Sequence, residues 1–149
     1  MAEYGKGVNY TKVIDPSSEN IIDPGLIGGK VRVMQDYVSI AATNLKSTDY
    51  VIVGTKLPTG SQVVSIKLTS DATSTASGLL VVGDEGSANR YITSTGVTAN
   101  YVATGPNAAG GVYYSVTGTT DNYIRIAGAA TNAVLTGSVI KISVMYVVE

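Results

Sequence analysis

The stretch SQVVSIKLTSD, residues 61–71, decides the fold class. Val64, Ile66 and Leu68 fall on one side of an extended chain, and Ser65, Lys67 and Thr69 fall on the other. A period of two with a polar opposite face describes a half-buried antiparallel strand, because successive side chains of a strand point to opposite faces. Just before it, Leu57-Pro58-Thr59-Gly60 places Pro and Gly where a tight reversal needs them. A strand entered through a tight turn is the unit from which antiparallel folds are built.

The same grammar extends in both directions. KVRVMQDYVSIAA, residues 30–42, alternates Val31 and Val33 against Lys30 and Arg32, then shifts toward Tyr37 and Ile40. Residues 50–53 form a short apolar run, and GLLVVG, residues 78–83, is a continuous one suited to a strand buried on both faces. RYITS (90–94), ANYVATG (99–105) and GVYYSVTG (111–118) read as further strands. DNYIRIAG, residues 121–128, alternates with Ile124 and Ile126 inward and Tyr123 and Arg125 outward. The chain closes on SVIKISVMYVVE, where Ile140, Ile142, Val144, Tyr146 and Val148 share one face. SIAATNLKSTD (39–49) holds one helical turn at most. About eight strands at this regular spacing specify an all-β fold, a single antiparallel β-sandwich of jelly-roll type over residues 30–149.

Residues 1–29 are written differently. IDPSSENIIDPGLIGG, residues 14–29, pairs two Asp-Pro steps with three glycines. Pro fixes its own φ and drives the preceding residue into extended conformations, so neither a helix nor a long strand suits the segment. Yet Ile14, Ile21, Ile22, Leu26 and Ile27 are too apolar for a solvated tail. The expectation is an extended N-terminal arm that lays these side chains on its own domain or on a neighbour's.

Composition narrows function mainly by exclusion. His and Cys are both 0, which removes the commonest general base, the commonest transition-metal ligands, the thiol nucleophile and any disulfide. Charged residues are 14% of the chain and the net charge is -1, so no global field draws in nucleic acid or an anionic membrane. The N-terminus has no apolar run of signal-peptide type and no segment has the length of a membrane span. The expected product is soluble, made in a cytoplasm, and binds neither nucleic acid nor membrane.

The acidic pair Asp84-Glu85 in VGDEGSANRYI is the natural place to look for chemistry. A calcium loop needs oxygen ligands at alternating positions and a late bidentate Glu, and this order is wrong for it. Two adjacent carboxylates splay apart in a turn and cannot flank a substrate. The loop reads as a glycine-permitted strand connection in which Asp84 caps the turn and Arg90 folds back as a brace. All aromatic residues are Tyr, 10 in number, and Tyr suits boundaries between core and surface. Tyr101, Tyr114 and Tyr123 are candidates either for an interface or for a sugar-stacking platform, with ordinary sandwich packing as the alternative. Nothing marks an enzyme, a metal site or a cofactor.

The order of phrases carries further information. GGKVRVMQDYVSIAA, then VGTKLPTGSQVVSIKLTSDA, then GLLVVGDEGSANRYITS, then TGSVIKISVMYVVE resembles a family of small virion structural proteins of tailed bacteriophages. The likeness spans about residues 28–149 and leaves out residues 1–27 and the Tyr-rich stretch near 96–120. It implies a capsid cement or decoration protein. Such a protein binds the major capsid protein on the capsid exterior, pairs with itself as a homotrimer, needs no cofactor, and is made in the bacterial host cytoplasm. A tail or head-fibre component touching the host and a carbohydrate-binding sandwich are the competing readings.

Overall fold

A computed structural model of the chain describes residues 2–6, 30–40, 45–70, 79–96, 101–107, 109–112, 114–118, 122–129 and 139–148. Nine strands are present among them and no helix: β1 (Ala2–Lys6), β2 (Lys30–Ser39), β3 (Asp49–Val53), β4 (Gln62–Ser70), β5 (Leu79–Gly83), β6 (Ile92–Gly96), β7 (Tyr101–Gly105), β8 (Ile124–Gly128) and β9 (Val139–Val148). They form a five-stranded sheet in the order β1-β3-β8-β5-β6 and a four-stranded sheet in the order β2-β9-β4-β7. All pairings are antiparallel except β1 with β3, which is parallel. The first residues of the chain thus add an edge strand to one sheet.

The two sheets pack face to face. Val38, Ile66, Leu68, Ile140, Ile142 and Val144 from the four-stranded sheet meet Val51, Val53, Leu80, Val82, Ile124 and Ile126 from the other in one core. Fully burying an Ile or Val side chain contributes about 1.5–3 kcal/mol, so this layer is the main source of stability. The longest strands, β2 and β9, pair over their whole length from Lys30 opposite Val148 to Ser39 opposite Val139. The alternation expected for β9 and β8 is the one observed. The apolar run of β5 is buried on both faces, as Leu80, Val81 and Val82 all are.

In three places the structure departs from the sequence pattern. On β2 the inward set is Met34, Asp36, Val38 and Ile40, while Val31 is exposed and Val33 half-exposed. The Val31–Val33 alternation was the weaker signal, because the inward set includes an acid. Asp36 is buried and its carboxylate accepts hydrogen bonds from the N–H groups of Tyr37 (2.8 Å) and Gly54 (2.7 Å). On β4 a bulge between Val63 and Ser65 shifts the pairing with β9 by one residue. It turns Val63 inward and leaves Val64 exposed, the reverse of the expected face, while Ile66 and Leu68 stay inside. An extra residue in one strand inverts the parity on one side of it, which no alternation count detects. In GVYYSVTG, finally, the described residues form no strand: their one β-pairing with the sheet is a bridge of Ser115 to Gln62.

That irregular segment is still firmly held. Gly60 N–H donates to Val116 O at 2.8 Å, Val116 N–H to Ser61 O at 2.9 Å, and Leu57 N–H to Asn122 O at 2.9 Å. The Leu57–Gly60 turn therefore lies against residues 115–118 and Asn122 and satisfies backbone groups that a ladder would otherwise pair.

Candidate functional site

The acidic loop between β5 and β6 is the most tightly constructed polar feature of the described residues. It begins where Gly83 ends β5. A Cβ on Gly83 would overlap Ser87 O and the Ala88 carbonyl carbon, both backbone atoms, so only Gly lets the loop fold back this closely. Asp84 and Ser87 then exchange hydrogen bonds. Asp84 N–H donates to Ser87 O at 3.0 Å, and Ser87 N–H donates to Asp84 Oδ1 at 3.0 Å. Side-chain closure of this kind is what an Asp in a turn supplies.

The second carboxylate oxygen, Oδ2, accepts the Tyr91 hydroxyl at 3.0 Å and lies 2.7 Å from Arg90 Nε. Nε is not aligned to donate a hydrogen bond and has no other acceptor, so the Arg90 contact is a short ion pair. The Arg90 guanidinium sits over the Tyr114 ring at 3.6 Å, which adds a cation–π contact. Glu85 reaches the other way: its Oε1 is 3.8 Å from Arg125, whose guanidinium lies over the Tyr50 ring at 4.5 Å. Tyr91 is fully buried beneath the loop, and its backbone donates to Val82 O and accepts from Asn107 N–H. A cavity of about 220 Å³ opens beside these groups, lined in part by Leu57, Asp84, Tyr91, Tyr114 and Asn122.

Both Asp84 oxygens are engaged by donors of the same loop, and the acid therefore serves as a scaffold. Burial, with the Asp84 charge and hydrogen bond added to it, pushes the Tyr91 phenol far above its ordinary value. Burial also raises Tyr146, with Arg32 opposing. A phenol whose folded pKa is raised contributes stability that is complete below the unfolded value of 10.0 and falls as pH rises above it. The expected result is a Tm that falls as pH rises above about 10. In an alkaline absorbance titration, Tyr91 should ionise only on unfolding and Tyr146 above the ordinary tyrosine range. Smooth ionisation of every tyrosine in the folded protein would contradict this.

The second notable surface is the open face of the four-stranded sheet. Val31, Tyr37, Val64, Val102 and Met145 lie there and are each between 38% and 53% exposed, an unusual concentration for large apolar side chains on one side of a small domain. A shallow hollow of about 470 Å³ crosses the middle of this face. Pattern reading missed these residues. The available signal was parity opposite to the core set of β2 and β9; the β4 bulge hid Val64.

The candidates from sequence are distributed as follows. Asp84, Arg90 and Tyr114 come together in the loop. Tyr123 is half-buried next to β8, in the five-stranded sheet, whereas Tyr101 opens β7 in the four-stranded sheet opposite Ser70. Ile14, Ile21, Ile22, Leu26 and Ile27 lie outside the described residues. Among the described residues no three His, Cys, Asp or Glu side chains cluster to hold a metal, and no helix is long and apolar enough to cross a membrane.

Comparison with known proteins places this sandwich. No family model matches the chain, and no curated protein does. Solved structures do. A chain of the capsid asymmetric unit of cyanophage Pam1 superposes with a TM-score of 0.66 at 26% identity, covering 90% of this chain and 96% of that one. A chain of the capsid of Ralstonia phage GP4 superposes with a TM-score of 0.66 at 16% identity, covering 99% and 98%, a likeness of fold. The Pam1 likeness supports a phage virion structural protein with a structural part in the phage head.

Proposed function

We propose that this chain is a non-enzymatic cement or decoration protein. It binds the outer surface of the major capsid lattice as a trimer and stabilises the head. The observation that carries this reading is the near end-to-end match to a chain of similar length within a phage capsid asymmetric unit. The constructed features agree: among the described residues the acidic loop is closed on itself, and the apolar surface is spread over a sheet face, as contact surfaces are. Beyond strand β1, the rest of the 1–29 segment acts as an arm that adds buried apolar area at about 25 cal/mol per Å² without enlarging the domain. Three linked copies convert individually weak contacts into lasting attachment.

The test is to count and locate copies on the virion that encodes the chain. Quantitative mass spectrometry and immunogold labelling should find many copies spread over the head. A few copies confined to the tail would overturn the cement reading in favour of a fibre or tail component.

A further inference from the structure

Strand β1 occupies the edge of the five-stranded sheet, with β3 as its partner in the one parallel pairing among the described strands. Ala2 pairs with Asp49, Glu3 with Tyr50 and Lys6 with Ile52. Without β1, the apolar run DYVIV of β3 would end the sheet on an open row of backbone donors and acceptors. Antiparallel neighbours can be joined by a tight turn, but a parallel one needs a longer connection. Here the connection is residues 7–29, which lead from Lys6 to Lys30 at the start of β2. Within one chain that route is short. The end of β3 lies against the middle of β2, where Gly54 N–H donates to Asp36 at 2.7 Å and Thr55 N–H donates to Met34 Sδ at 3.0 Å. Lys6 is level with Ile52, and Lys30 lies a short stretch of β2 before Met34, so the two ends are on the order of 25 Å apart. Residues 7–29 span about 75 Å when extended. Asp15-Pro16 and Asp23-Pro24 bias them toward extended conformations. The connection is several times longer than its own chain requires.

We infer that β1 is exchanged between copies: the strand that closes the β3 edge of one molecule is the 2–6 segment of a second copy, in the same parallel register. The inference rests on the self-association in the proposed function and names the contact that holds the copies together. An isolated chain closes the edge with its own strand. In an assembly the same backbone hydrogen bonds form with the neighbour's strand, so the exchange sacrifices no contact. Strand addition of this kind draws its affinity from the main chain. The surplus length supplies the reach, and a connection biased toward extension crosses to a neighbour more readily than it folds back over a short hop. It also carries Ile14, Ile21, Ile22, Leu26 and Ile27 toward a second domain, where their burial adds to the contact. A strand passed from each copy to the next is a head-to-tail contact, and such contacts close into rings when the rotation allows. A trimer is one such ring.

The chain has no Cys, so introduced thiols report alone. Glu3 and Tyr50 are ladder partners, and neighbouring strands lie about 4.8 Å apart, within the range a disulfide bridges. The Glu3→Cys/Tyr50→Cys protein is oxidised as the assembled oligomer and run on a denaturing gel without reductant. Exchange predicts covalent oligomers up to the size that light scattering finds for the wild type, all returning to monomer on reduction. Tyr50→Cys removes the ring beneath Arg125, so Lys6→Cys/Ile52→Cys repeats the test at a second register pair if the first variant misfolds. The single variants Glu3→Cys and Tyr50→Cys, one lengthened by a tag, should form a disulfide-linked heterodimer when refolded together. Glu3→Cys with Val64→Cys, on the other sheet, should not. A disulfide confined to monomers would put β1 on its own β3 and overturn the exchange, leaving the trimer and capsid binding untouched. No disulfide in any folded variant would overturn it as well, since β1 would then not close this edge. A wild type that is monomeric in light scattering would sink the trimer of the proposed function and the exchange with it.

Discussion

Replacing Asp84 with Ala should lower stability by about 3 kcal/mol, a fall in Tm of roughly 10 °C for a domain of this size. The cost comes from three groups left behind. The Tyr91 hydroxyl is buried and loses its acceptor, the Ser87 N–H loses the bond that closes the turn, and the Arg90 charge is stranded with its side chain only 16% exposed. Asp84→Asn keeps Oδ1 as the acceptor for Ser87 but puts an NH2 where Oδ2 took the Tyr91 hydroxyl and faced Arg90; the Tyr91 hydroxyl can turn to accept from it, so the loss should be smaller than for Asp84→Ala. Arg90→Ala should be milder still, since Asp84 retains two hydrogen-bond donors. Calorimetry of the three variants checks the order, with Asp84→Ala the worst, Asp84→Asn intermediate and Arg90→Ala the least affected. An Asp84→Ala protein melting with the wild type would show that the loop closes without its acid. Gly83→Ala tests the same loop through its backbone. The new methyl meets carbonyl atoms that cannot step aside, so the turn must open and the Asp84 contacts go with it.

The loop matters for function through shape. It holds Arg90 against Tyr114 and Glu85 toward Arg125, and so connects the end of β5 with the 114–118 segment and the outer side of β8. Two short segments with no ladder of their own are thereby fixed at one end of the sandwich. A head protein that stabilises by contact depends on such rigidity, because a surface that must first be ordered forfeits part of its binding energy.

Strand patterns revealed the all-β class because burial on one face of a strand writes a period of two into the sequence. Ile140, Ile142, Val144 and Tyr146 spell that period without interruption, and so do Ile124 and Ile126. The Gly83–Arg90 connection was legible for a different reason: glycines and an Asp in a turn have local causes that need no tertiary knowledge. Three features had no local signature. The parity of β2 turns on Asp36, an acid that sits in the core because the N–H groups of Tyr37 and of Gly54, just after β3, bind its carboxylate. Val64 owes its exposure to a bulge set by pairing with β9. GVYYSVTG has the composition of a strand, but its polar groups are satisfied by the Leu57–Gly60 turn. The parallel docking of Ala2–Lys6 on β3 likewise depends on an edge that the sequence does not mark. What sequence conceals here is long-range pairing.

The contact between Asp36 and Gly54 is the other place where a small change should have a large effect. Asp36 belongs to β2 and Gly54 follows β3, so their hydrogen bond ties one sheet to the other inside the core. Gly54 has φ +68, a conformation that L side chains rarely adopt, and a Cβ there would overlap Met34 Sδ. Gly54→Ala therefore incurs the left-handed penalty of about 1–2 kcal/mol together with overpacking of about 1–3 kcal/mol. It also displaces the Met34 sulfur that accepts the Thr55 N–H at 3.0 Å. A loss of about 3 kcal/mol is expected from these two terms. Asp36→Ala should cost about 1–3 kcal/mol, because it leaves the Gly54 N–H buried without an acceptor, and Asp36→Asn should cost less. Hydrogen exchange offers a readout that overall stability does not: in Asp36→Ala the Gly54 amide should lose protection while the β9 amides keep theirs. Both substitutions disrupt one contact, so the double variant should be less destabilised than the two single losses added together, by about 1 kcal/mol. Strict additivity would mean that Asp36 and Gly54 act separately, and that the sheets are held together here by apolar packing alone.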